Sequence, residues 1–523
     1  MFDSGWGLSL IVFLPLLGAG VVMAIPKANE QAQKVVAILF ALAAFVLAVV
    51  MAFQFDYDAA GTMQFGTDLE WIEVINSRYI IGVDGISLPL VVLSTFITVL
   101  AIIYSWEHWP EPHNPKVFLM LILILATGMT GTFVALDLIL FFVFFEVVLL
   151  PMYFMIGIWG DRNEVRIPVF KRVMEMRIYA SLKFFLFTLF GSAFMLLGFL
   201  ALYYRSGDGG AERTFSILEL AARNELFFGT FAFWVFAALF LGFAVKVPMF
   251  PLHTWLPDAH TAAPTVGSVL LAAILLKLGT YAFIRISLPI LPDEFEAWAP
   301  FIGILAVTGI IYASLACLAQ TDMKRLIAFS SVGHMGFVML GIATLTDIGI
   351  NAAIIGMVAH GVITGLLFFL AGSMSHHYHT RKMARLGGNQ KLMPIMGAIL
   401  GFTAMASLGL PSLAGFWGEF MSLLGSYNPL EGLNVTLFRT LMVFGAIGTV
   451  LTAGYMLWML QKVNFGEPKS EWDGKHFHDV DGWEMSAWVP LIVSIIAIGV
   501  YPNLIFGATN EAVINLVAQA FGG

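Results

Sequence analysis

The chain has 523 residues, of which 59% are hydrophobic and only 11% are charged, and its formal net charge is -8. Soluble domains carry about 25% charged residues, so this composition excludes a soluble multidomain protein and indicates an integral membrane protein, while the negative charge argues against nucleic acid as a partner. The single cysteine, Cys317, lies in an apolar stretch, which excludes a disulfide framework and a metal or iron–sulfur centre held by cysteines.

The chain begins with MFDSGWGLSLIVFLPLLGAGVVMAI, which lacks the basic segment and cleavage site of a signal peptide, so we predict a retained first helix. Further apolar stretches of about 20 residues follow, the length that crosses ~30 Å of hydrocarbon. They predict an all-α polytopic membrane protein with about fourteen transmembrane helices, here called spans 1 to 14, near residues 7–25, 35–53, 85–105, 117–135, 138–159, 178–204, 227–250, 262–286, 299–319, 324–343, 349–374, 392–425, 434–462 and 485–506. An even number of spans places both termini on one side of the membrane.

Basic residues in the predicted loops set the orientation, because Lys and Arg accumulate on the cytoplasmic side. If the termini are outside, the outer loops hold few of them: Arg78, Arg205, Arg213, Arg223 and Arg439. The inner loops hold many more: Lys27, Lys34, Lys116, Arg162, Arg166, Lys171, Arg172, Arg177, Lys324, Arg325, Arg381, Lys382, Arg385, Lys391, Lys462, Lys469 and Lys475. We therefore predict that both termini are outside. Lys183 and Arg285 lie near span ends, where we expect their side chains to extend to the membrane surface.

Six ionisable residues fall within six different spans at comparable depth: Glu146, Lys246, Lys277, His334, His360 and Glu419. A charge at the bilayer centre costs roughly 2.5–3.5 kcal/mol on insertion scales, and such residues normally face interior cavities. A lone buried histidine is more often a packing residue, and a single Lys–Glu pair can serve only to fix helix register. Six groups that exchange protons, with no arginine among them, favour proton transfer instead.

Prolines interrupt two of these spans. Three follow Lys246 in LGFAVKVPMFPLHTWLPDAH, and Pro411 precedes Glu419 in ASLGLPSLAGFWGEF. A broken helix frees backbone groups, which membrane proteins tolerate only where these groups line a cavity. We therefore predict discontinuous helices in spans 7 and 12.

The two interrupted spans lie five spans apart, which predicts two five-helix repeats of inverted topology. The predicted organisation is spans 1–3 over residues 1–116, a first repeat of spans 4–8 over 117–286, a second repeat of spans 9–13 over 299–462, and span 14 with a tail over 485–523. Lys246 and Glu419 are then counterparts in the two repeats.

The chain contains no visible nucleotide-binding loop, CxxC motif or segment long enough for a soluble domain. The histidine-rich sequence HHYH at 376–379 lies in a basic inner loop without carboxylate or cysteine ligands. We therefore interpret it as a solvated or subunit-contacting loop and expect no metal site in the chain. Any uphill transport must draw its energy from elsewhere.

Three long motifs resemble a known family: FFEVVLLPMYFMIGIWG, KVPMFPLHTWLPDAHTAAPTVGSVLLAAILLKLGTYAFIR and TDMKRLIAFSSVGHMGFV. They are similar to the antiporter-like membrane subunits of proton-pumping NADH:quinone oxidoreductase (respiratory complex I), over nearly the whole chain. The resemblance is to the subunit M (chain 4) type, because the chain lacks the long C-terminal lateral helix of the L type, and because Glu419 stands where the L and N types carry lysine.

The resemblance implies a fold of fourteen helices with inverted repeats and a proton half-channel in each repeat. It assigns the proton pathway to Glu146, Lys246, Lys277, His334, His360 and Glu419, and it assigns no firm role to Asp137, Asp258, Asp322 or Lys324. It also implies a bacterial inner membrane with periplasmic termini, and paralogous L- and N-type subunits and lipids as partners. FMN and iron–sulfur clusters are expected in partner subunits, with no cofactor in this chain.

We therefore expect a proton-translocating subunit coupled to quinone reduction elsewhere, in which Lys246 paired with Glu146 acts as the central switch. One alternative is a subunit of a multi-subunit cation/proton antiporter, which shares this fold. The other is a passive membrane scaffold, in which removal of the buried charges leaves pumping intact.

Overall fold

The computed structural model describes residues 5–167 and 172–522. Lys171 and the side chain of Arg172, which contributed to the predicted orientation, lie outside the described part. Every predicted span is helical, with bounds Trp6–Ala24, Glu30–Gln54, Leu88–Tyr104, Pro115–Val134, Leu138–Trp159, Met176–Ser206, Gly229–Lys246 with Trp255–Ala262, Thr265–Ile290, Pro292–Leu318, Met323–Ala343, Asp347–Tyr378, Pro394–Ser407 with Ala414–Tyr427, Val435–Val463 and Gly482–Val500. The chain is a multi-pass membrane protein, as predicted.

Polar side chains at the membrane surfaces begin several of these helices. Asp137 accepts hydrogen bonds from the backbone N–H groups of Ile139 and Leu140 at the start of span 5. Asp322 accepts one from the N–H of Arg325 at the start of span 10. Such caps satisfy the first amide groups of a helix, and in a lipid environment the remaining backbone groups are satisfied within the helix itself. These two aspartates therefore have a structural role in starting helices.

The predicted breaks in spans 7 and 12 are confirmed. Span 7 is non-helical from 247 to 254, directly after Lys246, and span 12 is non-helical from 408 to 413. Gly409 and Ser412 in the second break have positive φ angles of 81° and 75°, a conformation that does not continue a right-handed helix. Each break falls in the fourth helix of a five-span group, as inverted repeats require.

Spans 4, 8, 10 and 11 form the centre of the molecule, whereas spans 2 and 13 lie at its edge. Span 8 is buried along its whole apolar length and contains two wider π-helical turns, at Leu271–Leu275 and Phe283–Ser287. The first π turn ends two residues before Lys277. Wide turns of this kind are frequent at functional sites, and they were not predicted from the sequence.

Two short β-hairpins join the helices. Gln64–Ile72 pairs with Ser77–Val83 between spans 2 and 3, and Glu164–Ile167 pairs with Arg172–Glu175 between spans 5 and 6. The all-α prediction did not include them.

The predicted C-terminal tail is a further helix, Asn503–Phe521. Thr509 donates a hydrogen bond to Asn351 at the start of span 11, Asn515 contacts Gly61 between spans 2 and 3, and Phe521 lies beside Leu430 between spans 12 and 13. All three contacts are on the same membrane face, so the helix lies along that face and does not cross. Thr67 of the first hairpin donates a hydrogen bond to the Gly5 carbonyl, which places the start of span 1 on this face as well.

Arg285 differs from its prediction. Its side chain is buried in span 8, and its guanidinium lies 2.5 Å from Asp84 Oδ1 and 3.0 Å from the hydroxyl of Tyr281. It lies near the end of span 8, as predicted, but its side chain is covered by protein and held in an ion pair, so an arginine is buried in this protein after all. Because arginine does not release its proton, this ion pair joins span 8 to the start of span 3 without taking part in proton exchange.

Candidate functional site: a row of ionisable side chains within the membrane

The six predicted residues lie on six helices, as expected from the sequence. Lys246 ends the first half of span 7, Lys277 follows the first π turn of span 8, and Glu419 lies in the second half of span 12. Lys246, Lys277, His360 and Glu419 are buried, whereas Glu146 and His334 are partly buried. The structure brings four of them into one connected line and leaves two beside it.

Lys277 and His360 form the centre of this line. Lys277 Nζ lies 2.7 Å from His360 Nδ1 and 2.5 Å from the carbonyl oxygen of Ala272, which belongs to the π turn. If the lysine is an ammonium, it donates to both atoms and the histidine carries its proton on Nε2. If the lysine is neutral, its lone pair accepts from His360 Nδ1–H instead. The two residues can therefore share one proton.

His334 and Glu419 form the second close pair. His334 Nδ1 donates to Glu419 Oε1 over 3.0 Å, and His334 Nε2 accepts from the Ser407 hydroxyl over 3.2 Å. Glu419 Oε2 has no hydrogen-bond partner among the described residues. Gly409, in the break of span 12, lies beside that free oxygen: a Cβ at this glycine would be 3.1 Å from it. The break thus leaves room next to the carboxylate.

A small cavity connects the two pairs. The rings of His334 and His360 are 5.8 Å apart, and both residues line a cavity of about 30 Å³ together with Thr364, Ser407 and Glu419. This volume holds at least one water molecule. His360 Nε2 is buried and has no partner within the described part of the chain, so water in the cavity would satisfy it. A water molecule in this cavity would complete a line from Lys277 to Glu419.

Lys246 and Glu146 are near one another but not in contact. Their charges interact, yet between these two described residues there is neither a hydrogen bond nor an ion pair within 4.0 Å. The ammonium of Lys246 instead lies 4.4 Å from the centre of the Phe145 ring, and the Glu146 carboxylate is close to the Ser192 hydroxyl. The predicted close pairing is therefore looser in this structure than the sequence analysis assumed.

Spans 7 and 8 pack closely next to Lys246. A Cβ at Gly279 would lie 2.8 Å from the Phe243 carbonyl oxygen and 3.1 Å from Lys246 Cβ. Lys246 and Lys277 form no hydrogen bond to each other within the described ranges. The absence of a side chain at Gly279 brings the two lysine-bearing helices together, but a connection between the lysines requires water or a change of side-chain conformation.

Three buried groups on the inner side of the row were given no role from the sequence: His253 and His260 were missed, and Lys324 was named without a firm role. His260 is fully buried, stacks on Phe368 with ring centres 4.6 Å apart, and has no hydrogen-bond partner at either ring nitrogen among the residues described. His253 is also buried, and Lys324 donates to the carbonyl oxygen of Ala263 over 2.5 Å. Both histidines follow Lys246 in HTWLPDAH, and their position next to a predicted helix break was the feature of the sequence that could have identified them.

Ion pairs account for other charged residues. Asp258 binds Lys183 over 2.7 Å and Arg325 over 3.3 Å, so it joins span 6, the second half of span 7 and span 10. Asp322 binds Arg381 over 3.1 Å. These contacts stabilise the inner end of the bundle, and Lys183 is held there by Asp258.

Comparison with known proteins identifies the family. Residues 135–452 match the family described as NADH:quinone oxidoreductase/Mrp antiporter, TM, and residues 10–132 match NADH-ubiquinone oxidoreductase chain 4, amino terminus. A Rickettsia prowazekii protein named NADH-quinone oxidoreductase subunit M is 40% identical over 98% of this chain and 99% of its own length. The chain belongs to the subunit M (chain 4) family. A Rhodobacter capsulatus subunit M is likewise 40% identical, over 98% of this chain and 96% of its own.

Solved structures agree with this family. A chain of respiratory complex I from Thermus thermophilus superposes with a TM-score of 0.84 at 27% identity, and the match covers 98% of this chain and 99% of that one. A chain of the Mrp complex from Dietzia superposes with a TM-score of 0.83 at 20% identity, covering 98% of this chain and 97% of that one. The second likeness is one of fold alone. The resemblance to subunit M inferred from the three motifs is confirmed.

Proposed function

We propose that this chain translocates protons as a membrane subunit of an NADH:quinone oxidoreductase, through the row of buried side chains, with energy from quinone reduction in partner subunits. The observation that carries the proposal is the connected line from Lys277 through His360 and His334 to Glu419. A static scaffold needs no such line, because a buried ion pair requires only two partners.

The central step is a proton transfer between Lys277 and His360. The 2.7 Å distance between Lys277 Nζ and His360 Nδ1 is within the range for direct transfer. When Nδ1 receives the proton, Nε2 can release one to water in the cavity, and that water can protonate His334. The carboxylate of Glu419 stabilises a positive charge on His334, since its Oε1 lies 3.0 Å from the ring nitrogen. Glu419 would therefore control whether a proton occupies the second half of the pathway.

Lys246 and Glu146 would supply the switch. Their separation in this structure corresponds to the state in which the attraction is weak, and their approach would favour the ammonium form of the lysine. Two unit charges about 4 Å apart attract by about 4 kcal/mol at an effective dielectric constant of about 20. Moving one charge against about 150 mV requires about 3.5 kcal/mol. The change in interaction energy when this pair closes and opens is therefore large enough to move one proton against that potential.

The membrane, the orientation of the chain and its partner subunits follow from the same proposal. The bacterial relatives support a location in a bacterial inner membrane. The distribution of Lys and Arg supports an orientation with both termini, and the helix Asn503–Phe521, on the periplasmic side. The partners would be lipids and other membrane subunits, including paralogues of the L and N types. FMN and iron–sulfur clusters would belong to further subunits, so this chain would supply no redox chemistry.

Substitution of Lys246 tests the proposal. Arginine keeps the positive charge but cannot release a proton under physiological conditions, whereas alanine removes the group. We expect both Lys246→Arg and Lys246→Ala complexes to assemble and to oxidise NADH with an artificial acceptor, because that chemistry lies elsewhere. Quinone-linked turnover and proton pumping in membrane vesicles should be largely lost in both variants.

Two outcomes would point to other functions. If the Lys246→Arg complex pumps at near wild-type rates, the lysine only fixes helix register and the scaffold hypothesis is favoured. If vesicles that hold the wild-type chain exchange protons for sodium in the absence of NADH, the cation/proton antiporter hypothesis is favoured. A list of the proteins that copurify with the chain in mild detergent would identify its partners directly.

A further inference from the structure

A second group of ionisable side chains lies at the inner membrane face, away from the row. It joins the loop after span 3, which contains His108, to the start of span 14, which contains Asp481 and Glu484. Trp106 and Trp483 stack beside it with ring centres 4.8 Å apart and hold the two segments together. Neither the predicted pathway nor the family comparison assigns a role to this group.

Asp481 and Glu484 form a capping box at the start of span 14. Asp481 Oδ1 accepts from the N–H of Glu484 over 2.8 Å, and Glu484 Oε2 accepts from the N–H of Asp481 over 3.1 Å. A capping box uses one oxygen of each side chain. The other two oxygens both face His108: Asp481 Oδ2 lies 3.2 Å and Glu484 Oε1 lies 3.6 Å from its Nε2.

The other nitrogen of His108 restricts its protonation. Nδ1 lies 3.2 Å from the carbonyl oxygen of Tyr104, which can only accept a hydrogen bond, so Nδ1 carries a proton. In the neutral imidazole, Nε2 then points a lone pair at two carboxylate oxygens. That arrangement is repulsive unless a positive charge lies between the three atoms. The charge can be a second proton on His108 or a bound cation.

The burial of Glu484 favours a bound cation. Its side chain is only 1% exposed, and Oε1 has no hydrogen-bond partner with suitable geometry among the described residues. The hydroxyl of Ser373, 3.0 Å from the Tyr104 hydroxyl, is the other polar group close to this carboxylate. That hydroxyl and His108 are the only side-chain donors near this carboxylate among the described residues. A buried carboxylate with so few donors is costly, and a divalent cation offsets that cost more fully than one proton shared between three acceptors.

We propose that His108, Asp481 and Glu484 form a binding site for a divalent first-row transition metal ion, of which zinc fits best. Their ligand atoms all lie within 4.8 Å of one another. Imidazole nitrogen and carboxylate oxygen are both zinc ligands, and three protein ligands with an open fourth position are the number found in catalytic zinc sites, whereas calcium and magnesium prefer oxygen ligands alone. A ligating histidine usually donates its second N–H to a backbone carbonyl, as His108 does to Tyr104.

The surroundings permit entry and a fourth ligand. Asp481 is 30% exposed at the inner face, which gives a path for the ion. The ring of His376, in the HHYH sequence, is centred 5.8 Å from that of His108. That sequence alone was expected to bind no metal, because carboxylates were not visible nearby; the fold supplies two of them from span 14. Water or His376 would complete the coordination.

The test is metal binding by the full chain purified in detergent. Zn²⁺ is titrated at neutral pH in competition with a chromophoric chelator, and Co²⁺ is used as a spectroscopic probe, because cobalt bound by a histidine and carboxylates absorbs visible light. We expect one equivalent of either ion to bind the wild-type chain. The affinity for Zn²⁺ should fall by about 100-fold or more in His108→Gln and in Glu484→Gln, because each removes a ligand. Glu484→Gln keeps an acceptor for the capping box, so span 14 should still form.

His113→Gln is the matched control. His113 lies in the same loop, is 47% exposed and pairs with Glu30, away from the site, so its replacement should leave zinc affinity unchanged. X-ray absorption of the zinc-loaded wild-type chain should show imidazole and oxygen ligands without sulfur. The proposal is overturned if the wild-type chain binds no stoichiometric Zn²⁺ at about 100 μM, or if His108→Gln and Glu484→Gln bind it as tightly as His113→Gln. It does not depend on proton pumping, so its failure would leave the proposed function intact.

Discussion

The contact between His334 and Glu419 gives the sharpest test of the second half of the pathway. Glu419→Gln keeps the size of the side chain and an acceptor for His334 Nδ1 but removes the negative charge 3.0 Å away. At an effective dielectric constant of about 20, a unit charge at about 4 Å contributes about 4 kcal/mol to a positive charge on the ring. A loss of that size in a step that places a positive charge on the ring corresponds to a rate about 10³-fold lower, since about 1.4 kcal/mol is a factor of ten.

We therefore expect proton pumping and quinone-linked NADH oxidation in Glu419→Gln membranes to fall close to the background of inhibited samples. The assay is fluorescence quenching of a pH-sensitive dye in inverted vesicles, with artificial-acceptor NADH oxidation as the measure of assembly. Ser407→Ala removes only a neutral hydrogen bond to His334, worth about 1 kcal/mol, so it should slow pumping by about fivefold or less. Glu431→Gln is the matched control, because it removes an exposed carboxylate in the loop between spans 12 and 13, away from the pathway. Pumping by Glu419→Gln within twofold of wild type would refute the role given to this carboxylate.

Three further results are expected. Gly418→Ala would place a Cβ 2.6 Å from the backbone of span 11 and should lower the free energy of unfolding of the purified chain by about 1–3 kcal/mol. Gly401→Ala, at a position with open space around it, should not lower it. Arg285→Met leaves Asp84 buried without its partner and should cost about 3–5 kcal/mol in a denaturation assay, with recovery when Asp84→Asn is added. A cysteine at exposed Ala211 should react with an impermeant maleimide from outside intact cells, and one at exposed Asn163 only after permeabilisation; the opposite pattern would reverse the proposed orientation.

Much of the fold could be predicted because lipid imposes strong rules on sequence. Apolar length determines where a helix crosses, and most span ends were found to within a few residues. The largest exceptions are span 9, which begins at Pro292, and the second half of span 7, Trp255–Ala262, which lies beyond the predicted end of that span. Prolines next to a buried charge marked the two breaks. The helix Asn503–Phe521 was missed because length and hydropathy describe an amphipathic surface helix poorly: its path depends on Asn351 and Gly61, which are far from it in sequence.

The candidate site was predicted as a set of residues but not as a set of contacts. Depth along each span predicted that the six side chains lie at one level, and the structure brings four of them close to one another. Which of them touch depends on side-chain direction and on helix packing, neither of which is visible in one sequence. Lys277 and His360 are in contact although they were not paired beforehand, while Lys246 and Glu146 were paired and are apart. The Arg285–Asp84 pair was missed for the same reason.

The π turn before Lys277 has a thermodynamic consequence. The ammonium of Lys277 uses a carbonyl of its own helix, that of Ala272, as an acceptor, so the shape of this turn and the presence of a proton on the lysine stabilise one another. The coupling is reciprocal. If loss of the proton favours a tighter turn by a certain free energy, then a change elsewhere that tightens the turn favours loss of the proton by the same free energy. A coupling of only about 1.4 kcal/mol changes the populations tenfold. A force that changes the shape of this turn in span 8 would then also change the proton affinity of Lys277, because both act on the same equilibrium between the wide and the tight turn.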